Sequence, residues 1–245
     1  MMTWRASTIP DYRTVTEREH KAWSSGDFAR TGSLAVLHGE LLCEALDIRP
    51  GETVLDVAAG AGAASLAAAR RWADVTATDI AYSLLDPARR VADIYGLSLI
   101  TRLADAANLP FEDDSFDVVM STFGAMFYPD PQRVADEMTR TCRPGGRIGM
   151  CNWAPESLMA EIFRVTSRHV AALPGPRSAA EWGSQERLGE VFGNRIRSLQ
   201  LETRQLVLRY RSPEHMLQWL RSWYAPTRTA FATLDRYGRA RLAAE

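Results

Sequence analysis

Three carboxylates recur along the middle of the chain, each at or near the end of a short apolar run: Asp56, Asp79 and Asp105. Asp56 lies in Val54-Leu55-Asp56-Val57, which runs into Ala58-Ala59-Gly60-Ala61-Gly62, a stretch with almost no side chains. Glycine there admits unusual dihedrals and lets a ligand approach the backbone, and a helix starting just beyond offers free N–H groups. Asp79 follows after the length of one strand–helix–strand unit, where an acid can accept hydrogen bonds from both hydroxyls of a ribose. Asp105 stands in Leu103-Ala104-Asp105-Ala106, just before Asn108-Leu109-Pro110-Phe111. It would share the same C-terminal sheet edge, where ligands of open α/β sheets bind. One such aspartate alone reads as a solvated loop residue; three at successive strand ends are hard to explain by solvation.

The elements that must position these acids can be read from the apolar pattern. Strand signals at 54–57, 75–78, 97–103, 116–121 and 147–151 alternate with helical stretches at 65–72, 84–95 and 132–141. Upstream, Leu34, Leu37, Leu41, Leu42 and Ala45 recur at helical spacing within 27–46, and Pro50-Gly51 ends that helix. Alternation of this kind predicts parallel strands joined by crossover helices. After residue 152 it stops. A helix is expected over 157–172, broken by Leu173-Pro174-Gly175-Pro176. Period-two alternation over 198–210 then predicts a strand, and Ser212-Pro213 opens a helix with Met216, Trp219, Leu220 and Trp223 on one face. The fold class is α/β: a Rossmann-like, doubly wound, mostly parallel sheet with helices on both faces, an N-terminal helical cap and a helical insertion after the fifth strand. A single domain is expected over 1–245, with the cap at 8–47 and the ligand-binding core at 50–152. The insertion at 153–197 is expected to roof the site from the substrate side, and a C-terminal strand and helices occupy 198–245. Six strands are expected and none after residue 211, with the sheet edge covered by helix or another subunit unless the chain is shorter than its natural form.

Composition narrows the partners. Lys plus Arg total 29 and Asp plus Glu 30, a net charge of −1, which gives no electrostatic reason to expect a nucleic-acid backbone or an anionic membrane, and neither is expected as a partner. The expected partner is a small molecule. Cys43, Cys142 and Cys151 form no C-x-x-C pair, so neither a disulfide scaffold nor a thiolate zinc site is indicated, and no metal is expected. The first eleven residues hold no signal-like apolar core, and no run of about 18 apolar residues occurs, so a cytoplasmic location is expected.

What the small-residue loop holds can be argued from its neighbours. Gly60-x-Gly62-x-x-Ser65 is near the fingerprint of a dinucleotide site, but position 65 is Ser, and Asp56 puts negative charge beside the place a pyrophosphate would occupy. A carboxylate there suits a ligand with a cationic amino group and no phosphate, which describes S-adenosylmethionine. Val54 to Gly62 resembles the first motif of class I S-adenosylmethionine-dependent methyltransferases, with Ala58 where the first glycine often stands. Asp79, Asp105-Ala106 with Leu109-Pro110-Phe111, Asp114-x-Phe116-Asp117 and Arg143-Pro144-Gly145-Gly146-Arg147 resemble its later motifs in the right order. The flanks Trp23-Ser24-Ser25-Gly26-Asp27-Phe28 and Cys151-Asn152-Trp153-Ala154-Pro155-Glu156 are similar to a bacterial subgroup acting on small molecules. The resemblance implies that Asp56, Ala58, Gly60 and Gly62 hold the methionine end and Asp79 the ribose, with Ile80 against the adenine. It also implies that Asp105 and Ala106 read the adenine edge, and that Thr122 and Phe123 face the reactive methyl.

Methyl transfer from a sulfonium is an in-line displacement for which alignment is the main requirement. Where the acceptor must lose a proton, the base would come from His20, His38, His169 or His215, of which His20 and His169 rank first by their place near the cap and in the insertion. Trp23, Phe28, Phe127, Tyr128, Trp153 and Trp182 are the expected substrate-side aromatics, and they favour a small, partly apolar or aromatic acceptor presenting O, N or C. The alternatives are an NAD(P)-dependent oxidoreductase, against which the lack of a Tyr-x-x-x-Lys pair counts, and a non-catalytic S-adenosylmethionine-binding regulatory protein.

Overall fold

The computed structural model describes Trp23 and residues 28–169 and 179–245. Five strands form one parallel sheet: β1 (Thr53–Val57), β2 (Asp74–Asp79), β3 (Leu99–Leu103), β4 (Phe116–Thr122) and β5 (Cys142–Cys151), in the order β3-β2-β1-β4-β5. The chain winds outward from β1 through β2 to β3, then returns to place β4 on the other side of β1. That reversal leaves a crevice between the C-terminal ends of β1 and β4.

Successive strand residues point to opposite faces, and both faces are apolar, as a parallel sheet requires. Leu55, Val57 and Val119 face one way, against Val134, Ala135 and Met138 of α5 (Pro131–Thr141). Val54, Val118 and Met120 face the other, against Leu42 and Cys43 of α2 (Val36–Ala45) and Ala64, Ala67 and Ala68 of α3 (Ala63–Ala69). The alanine-rich face of α3 lets α2 approach closely. A methyl group on Gly39 of α2 would stand 2.6 Å from the Ala63 carbonyl. The remaining crossover helix, α4 (Tyr82–Tyr95), ends on Gly96 in the left-handed conformation, and the Leu97 N–H donates to the Ala92 carbonyl, so β3 starts at Leu99 rather than at 97.

Two elements differ from the sequence reading in form. The upstream helix is divided into α1 (Phe28–Gly32), a 3-10 turn at Ser33–Ala35, and α2. The fifth strand begins five residues early and absorbs the Pro144-Gly145-Gly146 turn as a bulge, its register jumping from Phe116–Cys142 to Val118–Arg147.

The third difference is a correction. Residues 198–210 form no strand, and among the described residues the sheet has five strands where six were expected. Their alternation is real: Leu206, Leu208 and Tyr210 are half-buried between exposed neighbours. It arises from packing one side of an extended chain over a cavity, not from a sheet ladder. Among the described residues, β5 pairs with β4 alone. Beyond β5 come α6 (Leu158–His169), the 3-10 turn Ala179–Gly183, α7 (Gln185–Phe192), α8 (Pro213–Trp223), α9 (Ala225–Thr233) and α10 (Arg236–Ala244). The Ser212 hydroxyl accepts from the His215 N–H and caps α8 as its sequence predicts. No described helix is long and apolar enough to cross a membrane.

Candidate active site

The crevice at the β1–β4 reversal opens into a largely apolar cavity. Its floor is built from strand ends: Ala58, Ala59, Gly60 and Ala61 after β1, Asp79 and Ile80 after β2, and Thr122, Phe123 and Gly124 after β4. Trp23, Phe127, Tyr128 and Trp153 add aromatic surface, and Leu206, Leu208, Tyr210, Trp219, Leu220 and Tyr224 complete the lining.

The loop after β1 is held in shape by backbone hydrogen bonds and two acids. The Ala59 N–H donates to the Thr78 carbonyl (2.8 Å), and the Gly62 N–H to the Ala59 carbonyl (2.9 Å). Asp79, 6% exposed, accepts from the Gly60 N–H at 2.9 Å and from the Ala81 N–H at 3.3 Å. Ala58, Gly60 and Gly62 all have positive φ. Gly60 has open space where a Cβ would stand, so a ligand can approach its α-carbon closely while its N–H stays on Asp79. Ala58 carries the strain of a left-handed L-residue at φ 55°, and the residue opposite it is Gly124, where a Cβ would meet the Ala58 carbonyl oxygen at 2.2 Å.

Asp56 lies beneath this loop, not in the cavity wall. Its Oδ2 accepts from the Ser65 hydroxyl at 2.5 Å and its Oδ1 has no partner. Ser65, which departs from the dinucleotide fingerprint, is therefore the residue that satisfies Asp56. Burial pushes the Asp56 carboxyl up to about 7; the Ser65 hydrogen bonds oppose that shift and the Asp79 charge adds to it. In the unfolded chain an aspartate titrates near about 3.9. Between those values only the unfolded state is ionised, so the group's contribution lowers stability as pH rises through this window and is constant above it. The difference in melting temperature between Asp56→Asn and the parent should thus grow in the variant's favour from pH 4 to 7, measured by thermal melts; a pH-independent difference would show that Asp56 titrates normally.

Asp105 and Ala106 do not line the cavity. Asp105 folds back to accept from the Ala107 N–H at 2.8 Å, and Ala106 is buried. Tyr128 belongs to the same apolar cluster as Ala106 and lines the cavity, and its buried phenol feels the charges of Asp79 and Asp105. The loop carrying them is clamped from α5 by Glu137, which accepts from the Leu109 N–H at 2.7 Å, and by Arg140, which donates to the Leu109 and Phe111 carbonyls. The sequence reading missed this clamp, because nothing in a helical Glu-x-x-Arg spacing distinguishes it from an ordinary surface pair.

Phe123 holds a positive φ of 55°, uncommon for a bulky residue, and stacks on Trp153 with ring centroids 4.3 Å apart. Trp23 meets Phe127 at 5.1 Å, and Phe127 meets Phe163 edge-on at 5.7 Å. Trp182 is a correction. It is 3% exposed and packs with Leu188, Val191 and Phe192 against α5, so it is core rather than substrate wall. His169 is another: it pairs with Glu245 at 2.8 Å, outside the cavity lining, and ties α6 to α10. His38 is buried behind Phe123 with its Nδ1 unpartnered, and burial lowers its pKa. His20 and the Phe28 side chain lie outside the described residues.

Among the described residues of 153–197, Trp153 and Met159 line the cavity, and six further lining residues come from 206–224; the middle of the expected insertion, 170–178, lies outside the described residues. Sequence offered the signal for both groups, in the alternation of Leu206, Leu208 and Tyr210 and in the shared face of Trp219 and Leu220.

Comparison with known proteins agrees with this architecture. A family model described as a methyltransferase domain matches residues 55–150. The chain is 35% identical over 233 residues to an uncharacterised protein of Mycobacterium tuberculosis, covering 91% of this chain and 85% of that one. It is 33% identical over 165 residues to a demethylmenaquinone methyltransferase of Streptomyces avermitilis, covering 61% and 69%. A SAM-dependent methyltransferase from Aquifex aeolicus superposes with a TM-score of 0.50 over 76% of this chain and 87% of that one, at 16% identity, a likeness of fold alone. The chain belongs to the class I S-adenosylmethionine-dependent methyltransferases.

Proposed function

We propose that the protein binds S-adenosylmethionine across the β1, β2 and β4 ends and methylates a small, largely apolar, ring-bearing acceptor carrying few polar groups. The observation that supports this most directly is the continuity of one cavity from the Gly60–Asp79 edge to an aromatic and aliphatic wall. The polar edge fits the cofactor: an acid for the ribose, an open glycine backbone, and the Thr122 hydroxyl, buried without a partner. When bound, the cofactor supplies an already activated sulfonium methyl.

The chain's own contribution is alignment and exclusion of water, which can be worth roughly 7–11 kcal/mol. Phe123 stacked on Trp153 forms a rigid aromatic plate beside Thr122, and an aromatic face near a sulfonium gains about 0.5–2 kcal/mol. On the acceptor side, the hydroxyls of Tyr210 and Tyr224 are buried without partners, and both residues line the cavity. Buried polar atoms are normally paired, so these hydroxyls are poised to orient an acceptor's polar group. Burial raises the pKa of Tyr128 and Tyr224, which makes them hydrogen-bond donors rather than bases. No histidine lines the cavity among the described residues.

The test is methyl transfer to a panel of phenols, hydroquinones and aromatic amines, with Trp219→Ala as the probe. Loss of that ring should raise KM for the acceptor about tenfold or more while leaving cofactor affinity unchanged, the signature of lost acceptor binding. Turnover confined to protein or nucleic-acid acceptors would overturn the reading.

A further inference from the structure

The net charge of −1 is the sum of two unlike parts. Residues 195–245 hold ten arginines against four carboxylates, a surplus of six positive charges, and the rest of the chain is correspondingly acidic. The basic part includes the cavity roof. Along 197–211, Leu206, Leu208 and Tyr210 turn inward to the cavity, while Leu199, Leu201 and Val207 are 36%, 47% and 57% exposed. Between them stand Arg197, Arg204, Arg209 and Arg211, all exposed. Among the described residues only Arg204 of these four has an ion-pair partner, the nearby Glu202. On the other side of the cavity, Leu34 lines the rim and Leu37 is 63% exposed.

Exposed aliphatics interleaved with arginines gain twice at an anionic bilayer, from burial at the headgroup boundary and from attraction to the lipid charge. The acidic remainder of the chain is repelled by the same surface, which favours contact through the basic 197–211 segment. A nucleic acid would use the arginines but not the aliphatics, and 197–211 presents no outward aromatic on which a base could stack.

We propose that the outer face of the 197–211 roof docks on an anionic lipid surface, so that an apolar acceptor passes from the bilayer into the cavity without crossing water. Its purpose rests on the apolar-acceptor reading, but docking itself can be measured without turnover.

The experiment is co-sedimentation of the whole chain with vesicles of phosphatidylcholine alone or of two parts phosphatidylcholine to one part phosphatidylglycerol. Binding should be at least about tenfold tighter to the anionic vesicles and should weaken with salt. At about fivefold per arginine near the surface, R197E/R209E/R211E should lose on the order of 100-fold or more, with S-adenosylhomocysteine affinity and melting temperature unchanged. L199S/L201S/V207S should weaken vesicle binding without altering its salt dependence. Equal binding to both vesicles, unchanged binding by the arginine variant, or binding to polyuridylate in preference to anionic vesicles would overturn the proposal. Loss of S-adenosylhomocysteine binding by the parent protein would instead count against the cofactor assignment and leave the vesicle result standing.

Discussion

Asp79→Ala is expected to weaken binding of S-adenosylmethionine and S-adenosylhomocysteine about 10–1000-fold. Two hydrogen bonds from ribose hydroxyls to a carboxylate are each worth about 1.5–3 kcal/mol, and water filling the gap recovers part of that. The structure adds a second effect. Asp79 also accepts from the Gly60 and Ala81 N–H groups, so alanine leaves two backbone donors in a mostly buried site and loosens the loop itself. Each unsatisfied donor costs about 1–3 kcal/mol where water does not reach it. Asp79→Asn separates the two effects in part: Gly60 and Ala81 donate to different carboxylate oxygens, so the amide oxygen keeps one of those bonds while the charge is gone. Calorimetric titration of both variants, with thermal melts as the folding control, should show weakened binding in each and a lower melting temperature mainly in the alanine variant. Unchanged affinity in a folded Asp79→Ala protein would remove the ribose assignment.

Gly124→Ala is expected to be the more damaging change to the fold. Its methyl would lie 2.2 Å from the Ala58 carbonyl oxygen and 2.7 Å from the Ala58 Cβ, with no flexible side chain able to move aside. Relief requires the β4 loop to separate from the β1 loop, the two segments that form the cavity floor. Overpacking of this kind costs about 1–3 kcal/mol, occasionally more. Cofactor affinity should fall at least about tenfold, because Gly60 and Thr122 are carried on the segments that must part. Gly189→Ala is the control: a Cβ there meets nothing within 4 Å, on α7, and it should be neutral or slightly stabilising. Urea unfolding and calorimetry on both variants decide the matter, and a Gly124→Ala protein as stable as Gly189→Ala would refute the packing argument.

The parallel core was legible because its physics is local. A strand buried on both faces must be apolar throughout, as Val118-Val119-Met120 is, and the run of small residues at 58–62 marks the point where such a strand gives way to a tight loop. The place of Asp79 at the cavity edge was legible for the same reason, since it follows from the residue's position at a strand end. Asp56 was harder. Its residue type suggested a ligand contact, but only three dimensions show that Ser65 reaches back to it and that the loop covers it. Trp182 and residues 198–210 mark where sequence reasoning stops. A tryptophan in a polar stretch reads alike whether it faces core or cavity, and period-two burial reads alike whether the partner is a strand or the contents of a pocket. Deciding either one requires the distant elements, α5 and α7 for Trp182 and α8 for the roof, whose approach no local pattern encodes.

The unladdered wall at Leu206, Leu208 and Tyr210 bears on amide exchange and on acceptor range. Among the described residues, the stretch 197–210 makes no backbone-to-backbone hydrogen bond, while Val118, Val119 and Met120 sit in a ladder between two strands. Its amides therefore belong to the fast-exchanging end of the molecule and those of β4 to the slow end. A wall held only by side chains can shift outward without breaking a single sheet bond, whereas the cofactor floor cannot move without breaking several. On the proposed reading, tolerance toward the acceptor would rest with this wall and strictness toward the donor with the floor, so that new acceptor specificity could arise by drift in the wall while the floor stays as it is.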